Sequence, residues 1–171
     1  QFPYHLYSGQ QDNSAFGIPS RTASAGIDQD DWYNIGNNES AFVALNPDDP
    51  STIYSSNYLG NISLYDQSTG MTRAIRPDLT RNQDARHGPG GGPFTNEGAG
   101  AEVYNTISYL VCSPLEAGEI WVGTDDGLVH YTKDEGNTWN NITPPNIGAA
   151  HINSTELSKV KGRAYVVANK Y

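Results

Sequence analysis

Five aspartates, Asp12, Asp30, Asp31, Asp125 and Asp126, could do acid–base chemistry. Cleaving a glycosidic bond takes two carboxyl groups facing each other across a sugar cleft, one of them with a raised pKa. Sequence spacing alone brings no two of these aspartates to a working separation. Asp125 and Asp126 are adjacent turn residues, and Asp31 opens the strand at Trp32. Asp12 and Asp126 are the candidates for a catalytic role.

A second kind of chemistry is recognition. Gln10, Gln11, Asp12 and Asn13, with Arg21 and Thr22, would form a polar rim beside Phe16, Trp32 and Tyr33. Amide side chains both donate and accept, and aromatic rings stack on sugar faces, so this set suits carbohydrate or peptide capture. Metal chemistry is poorly served. His5, His87, His130 and His151 show no ligand spacing and have no cysteine partners, which excludes a zinc pattern. Asp28, Asp30 and Asp31, or Asp48 and Asp49, could offer oxygens to Ca²⁺, but the twelve-residue EF-hand loop is missing. No cofactor is expected. The run Arg86-His-Gly-Pro-Gly-Gly-Gly-Pro93 lacks the Lys-Ser/Thr ending of a phosphate-binding loop. It is expected to be a partner-contacting loop.

The elements that must position these residues are short strands. Eighteen glycines, ten prolines and eleven tyrosines in 171 residues call for strands joined by many tight turns. A formal charge of −9 repels phosphate backbones and anionic lipid, so neither a nucleic acid nor a membrane surface is an expected partner. No apolar run reaches the ~18 residues that a membrane span needs. The single cysteine, Cys112, sits in an apolar run and reads as a small buried side chain. The start at Gln1 suggests a processed product or a boundary within a longer chain. Four Asn-x-Ser/Thr sequons, at Asn38, Asn61, Asn141 and Asn153, would matter only in a eukaryotic secretory pathway.

Internal repeats organise the chain. Asn46-Pro47 and Ser113-Pro114, Tyr54 and Trp121, and Gly60 and Gly127 share one offset of 67 residues. Leu6-Tyr7-Ser8-Gly9-Gln-Gln-Asp12-Asn13 matches Ile120-Trp121-Val122-Gly123-Thr-Asp-Asp126-Gly127, and Gly162-Arg-Ala164-Tyr165-Val166 starts a further copy. Taking about 45 residues as the unit, the long interval holds an insertion, assigned to the Gly-rich stretch 82–100. The units are 1–35, 36–80, 101–145 and a beginning at 146–171. In the best copy, alternation predicts strands at 107–112, 120–124, 128–132 and 139–142, with an Asp-Gly hairpin between the second and third. Four short strands per unit is the size of a β-propeller blade. Blades stand only between neighbours, so about three of them imply further blades from the same parent chain or from other subunits.

Thr132-Lys-Asp134-Glu-Gly136-Asn-Thr138-Trp139 fits the Asp-box signature Ser/Thr-x-Asp-x-Gly-x-Thr-Trp without a mismatch. It is expected to be a structural turn, in which Asp134 accepts from amides, Gly136 takes a positive φ and the Trp139 ring lies over its own hairpin. Tyr65-Asp66-Gln-Ser-Thr69-Gly70-Met-Thr72 looks like a decayed copy with Arg73 in the tryptophan's place. With Gly9–Asn13, Asp31-Trp32-Tyr33, Pro77-Asp-Leu-Thr-Arg-Asn82 and Val122–Leu128 in this order, the chain resembles the sortilin-like BNR/Asp-box propellers of secreted bacterial proteins, often labelled glycosyl hydrolases. One departure is that Ile75-Arg76-Pro77 runs straight into Asp78, where similar proteins carry a further blade. The resemblance implies an all-β partial propeller of four-stranded antiparallel blades, secreted, periplasmic or on the cell surface. The expected function is a scaffold binding carbohydrate or protein; the alternatives are a glycoside hydrolase acting on a polysaccharide and a purely structural assembly subunit.

Overall fold

The computed structural model describes residues 3–36, 42–57, 60–77 and 106–170. Their thirteen strands form four antiparallel sheets, and within each sheet the spatial order follows the chain. The first holds β1 (His5–Gln10), β2 (Ser14–Pro19) and β3 (Tyr33–Asn34). The second holds β4 (Val43–Leu45), β5 (Thr52–Ser56), β6 (Ile62–Asp66) and β7 (Met71–Ala74), and the third β8 (Ile107–Cys112), β9 (Ile120–Thr124), β10 (Val129–Thr132) and β11 (Asn140–Asn141). The fourth pairs β12 (His151–Leu157) with β13 (Ala164–Asn169). The stretch 82–100 and the run Arg86–Pro93 lie outside the described residues.

Register reproduces the repeat read from sequence. Tyr54 stands between Ala44 and Leu64, and 67 residues on, Trp121 stands between Val111 and Tyr131. Tyr7 in β1 matches Trp121 in β9, so β1–β3 occupy the second to fourth places of a blade. Tyr165 in β13 puts β12–β13 in the first two places. The described strands therefore amount to two complete blades flanked by two partial ones, and we call them blades one to four.

Stability comes from the seams between blades, because the sheets carry apolar residues on their faces and no helix among the described residues covers them. Ala15, Ile35 and Ile53, with Tyr7 and Tyr33, fill the seam of blades one and two. Tyr54, Ile62, Ile75, Ile107, Leu110, Ile120, Val122 and Leu128 fill the next. Trp121, Val129 and Ile152 anchor the third. β9 shows the consequence: all five of its residues are buried, since Ile120 and Val122 face blade two while Trp121 faces blade four. Burying each such aliphatic side chain contributes roughly 1.5–3 kcal/mol. Cys112 packs at the edge of the middle cluster, and burial pushes its thiol up to about 12, as expected of a packing residue with little thiolate at neutral pH.

The third seam is tight at one point. A Cβ added to Gly123 would fall on the Cβ and Cγ2 atoms of Ile152 in blade four. Gly123→Ala should therefore overpack this seam and lower stability by about 1–3 kcal/mol. Gly26→Ala, which meets nothing within 4 Å, should stay within about 0.5 kcal/mol. Urea unfolding of the two variants checks the contrast, and equal midpoints would show that blade four does not pack as described.

Candidate functional site

Antiparallel order sorts the connections onto two rims. The turns between second and third strands lie on one: Gln10–Asn13 in blade one, the β5–β6 connection closed by Asn57 N–H on Asn61 O (2.8 Å), and Asp125–Gly127 in blade three. Thr106 O accepts from Asp125 N at 3.1 Å, which sets the entry to β8 on that rim too. The connections between third and fourth strands lie on the opposite rim. His5 pairs with Pro19 at that end of blade one and Gln10 with Ser14 at the other. The separation is five strand steps, about 17 Å.

This sorting divides the predicted polar set. Gln10, Gln11, Asp12 and Asn13 form one exposed hairpin turn, closed by Asn13 N–H on Gln10 O at 3.1 Å. Asp12 takes a φ of 58°, a left-handed conformation that a short polar side chain tolerates. Arg21 is exposed in the loop after β2, towards the far rim. Trp32 follows a short 3₁₀ turn, Gln29–Asp31, and meets Phe16 edge-to-face at 5.5 Å on the outer face of blade one. Tyr33 turns to the inner face, where its hydroxyl donates to Tyr7 at 3.3 Å, and burial raises its pKa. Trp32 and Tyr33 are consecutive residues of extended chain, so they cannot share a face. Gln10–Asn13 on one side and Arg21, Trp32 and Tyr33 on the other are not brought together.

The two catalytic candidates occupy equivalent turns of different blades. Asp12 is exposed, whereas Asp126 is sealed from solvent and accepts from the Thr124 hydroxyl. Three of the calcium candidates, Asp28, Asp31 and Asp49, are held in their own turns. Asp28 Oδ1 accepts from Asp30 N at 3.0 Å, Asp31 Oδ2 from Asp28 N at 2.8 Å, and Asp49 from the hydroxyls of Ser51 (2.6 Å) and Thr52 (2.8 Å). Among the described residues, no group of three or more His, Cys, Asp or Glu could hold a metal ion.

The Thr132–Trp139 turn is a hydrogen-bonded knot with a second job. Thr132 Oγ1 donates to Asp134 Oδ1 (2.7 Å) and accepts from Gly136 N (3.0 Å). Asp134 also accepts from Thr138 N (2.8 Å) and Thr138 Oγ1 (2.6 Å). The Thr138 hydroxyl, with the Thr138 amide and the Thr132 hydroxyl, holds the Asp134 carboxyl down at about 2. Glu135 and Gly136 take positive φ, 57° and 81°. The Trp139 ring, expected from sequence to lie over its own hairpin, also reaches the neighbouring blade. Its indole N–H crosses to blade two and donates to Ile75 O at 2.7 Å, while the ring packs on the middle core cluster. Gly136 belongs to the same contact, since a Cβ there would stand 2.6 Å from Ile75 Cβ. Arg73 reaches back from blade two to Asn137 Oδ1 (2.9 Å) and Glu135 O (3.4 Å).

Arg73 is not the counterpart of Trp139. It pairs with Leu64 as Asn140 pairs with Tyr131, which leaves Thr72 in the tryptophan's place. The match slipped because the blade-two turn carries its glycine, Gly70, one position later relative to the strands than Gly136. Asp66 still ties its turn through Ser68 Oγ (2.6 Å) and Thr69 Oγ1 (2.8 Å), which lower its pKa.

No family model matches the chain, and no curated protein matches it. Solved structures do. A YCF48 bound to D1 peptide superposes with a TM-score of 0.52 at 11% identity, over 96% of this chain and 48% of its own. YCF48 from Cyanidioschyzon merolae gives a TM-score of 0.49 at 15% identity, over 95% and 47%. The chain is a partial β-propeller. It spans about half the length of these proteins, and at such identities the likeness concerns the fold alone.

Two outcomes follow for the knot. Asp134 has a depressed folded-state pKa, so its contribution is present above the unfolded value near 3.8 and is lost as pH falls towards 2. Asp134→Asn should flatten the stability-versus-pH curve between about pH 4 and 2, measured by urea unfolding. Trp139→Phe keeps the ring's bulk but strands the Ile75 carbonyl, and should cost about 1–2 kcal/mol at any pH. A neutral result at Trp139 would show that the contact across the seam carries no weight.

Proposed function

We propose that this propeller is a protein-binding scaffold that takes an extended, basic segment of its partner on the rim built from the second-to-third-strand turns. The observation that carries this is the sorting of groups between rims. Exposed Gln10, Gln11, Asp12 and Asn13 share a rim with the Asn57–Asn61 and Asp125–Gly127 turns. Trp32 and Tyr33, the rings that would stack on sugar, stand off it. Amides that donate and accept suit a peptide main chain, and a net charge of −9 favours a basic partner and speeds its encounter. The YCF48 bound to D1 peptide gives an instance of this fold holding a peptide.

The chain's membership of the sortilin-like Asp-box group, and its export to the periplasm or beyond, belong to the same proposal and rest on the Thr132–Trp139 signature. Carbohydrate capture and glycoside hydrolysis are the competing readings. For hydrolysis, Asp126 is buried and Asp12 sits in the equivalent turn two blades away. No helix among the described residues is long and apolar enough to cross a membrane.

A peptide array probed with the labelled protein should show basic, extended sequences retained at low salt and weakened at 0.5 M NaCl. Combined Gln10→Ala, Gln11→Ala and Asn13→Ala substitutions should reduce retention about tenfold or more, equivalent to about 1.4 kcal/mol. Lys159→Ala, on the other rim, should leave it unchanged. Release of reducing ends from a polysaccharide, abolished by Asp12→Asn, would favour the enzyme instead.

A further inference from the structure

Three blades mark the exit of the fourth strand with the same hydrogen bond: Ile35 N–H to Ala15 O (3.0 Å), Ile75 N–H to Ile62 O (2.9 Å) and Ile142 N–H to Val129 O (2.9 Å). The residues three places upstream are Trp32, Thr72 and Trp139. Trp32 is therefore the blade-one counterpart of the Asp-box tryptophan. Its turn is likewise organised by a carboxylate, Asp28. Trp139 lies across a seam and donates to the preceding blade, whereas Trp32 is 40% exposed on the outer face of blade one. The rest of that face is built for burial as well. Leu6, the counterpart of Ile120, is 55% exposed where Ile120 is 1% exposed, and it pairs with Ile18, two residues from Phe16. Leu6, Ile18, Phe16 and Trp32 thus form a continuous apolar strip, large for a surface that faces only water.

We infer that this strip seats the fourth strand of another propeller blade carried on the same polypeptide, with Trp32 as its clasp. The molecule itself shows what covers such a face. On blade three, the equivalent surface is closed by blade two, through Tyr54, Ile62 and Ile75 packed on the core and through the main-chain carbonyl of Ile75, just past the end of β7, which takes the indole proton. The occupant of the blade-one face has the same chemistry: an aliphatic residue, and a carbonyl that its own sheet does not use. The solved propellers that the chain resembles are about twice as long, which leaves room for blades beyond these. Trp32 is thereby assigned to the seam and withdrawn from any ligand platform, a conclusion independent of the peptide-binding rim.

The test supplies the missing strand from the protein's own sequence. Residues 42–112, duplicated ahead of Gln1, add a copy of β7 and of β8, the first-strand type that β1 would pair with; the duplicate brings no tryptophan. Hydrogen exchange at the indole N–H of Trp32, followed by NMR, should be fast in the original chain. In the extended chain it should slow at least tenfold, towards the rate of Trp139. Trp32→Phe should lower Tm in the extended chain and leave it unchanged in the original. Should the extended chain fail to fold, the duplicate can be shortened to 42–77 and the same exchange read. An unchanged Trp32 exchange rate in a folded extended chain would overturn the inference. So would a dimer of the original chain that protects Trp32 and is dispersed by Leu6→Glu.

Discussion

The hydrogen bond from the Trp139 indole to the Ile75 carbonyl is the constraint on which the rest of this structure turns. A propeller blade has two apolar faces and a short hydrogen-bonded width, so it gains little by folding alone and nearly everything by lying against the next blade. Apolar packing sets how closely two sheets approach but is tolerant of sliding. A directional bond from one blade's turn to another's fourth strand fixes the register of the seam. Gly136 makes that approach sterically open, and the Asp134 knot holds the turn in the shape that aims the indole.

The Thr132–Trp139 turn serves two blades. In a single blade it is turn chemistry: hydroxyls and amides converging on one carboxylate. Seen across the seam, the knot is the rigid base of a clasp, and its low carboxyl pKa is a by-product of the hydrogen bonds that make it rigid. On the other rim, the blade-one turn keeps Gln10, Gln11, Asp12 and Asn13 exposed, while Asp126 in the equivalent turn of blade three is buried.

Much of this was legible in the sequence, for physical reasons. The 67-residue offset between Tyr54 and Trp121 survived as strand register because both residues are fixed in second strands by neighbours on either side. The strands at 107–112 and 120–124 appeared where alternation placed them, and 128–132 and 139–142 shrank only at their ends. The positive φ of Gly127 and of Gly136 followed from the turns they occupy. What failed to show was contact between units. Trp139 was expected over its own hairpin because a sequence reveals which turn a residue belongs to, but not which neighbour the turn leans on. Arg73 was matched to Trp139 by counting from Gly70, and the count slipped because that glycine sits one place later in its turn. Trp32 and Tyr33 were grouped with Gln10–Asn13 because they are aromatic and near in sequence; strand alternation and the length of β1 keep them apart. The isoleucines at 35, 75 and 142, which mark the fourth strand in each blade, were readable in principle, yet isoleucine is too common to stand out without the hydrogen bond that aligns them.

The central claim is that the seam, rather than the single blade, is the unit of stability, and native-state hydrogen exchange tests it most directly. Trp139→Ala should raise exchange in β7 of blade two as much as in β11 of blade three, because both lose the same clasp. Faster exchange confined to β11, with β7 as protected as before, would contradict it.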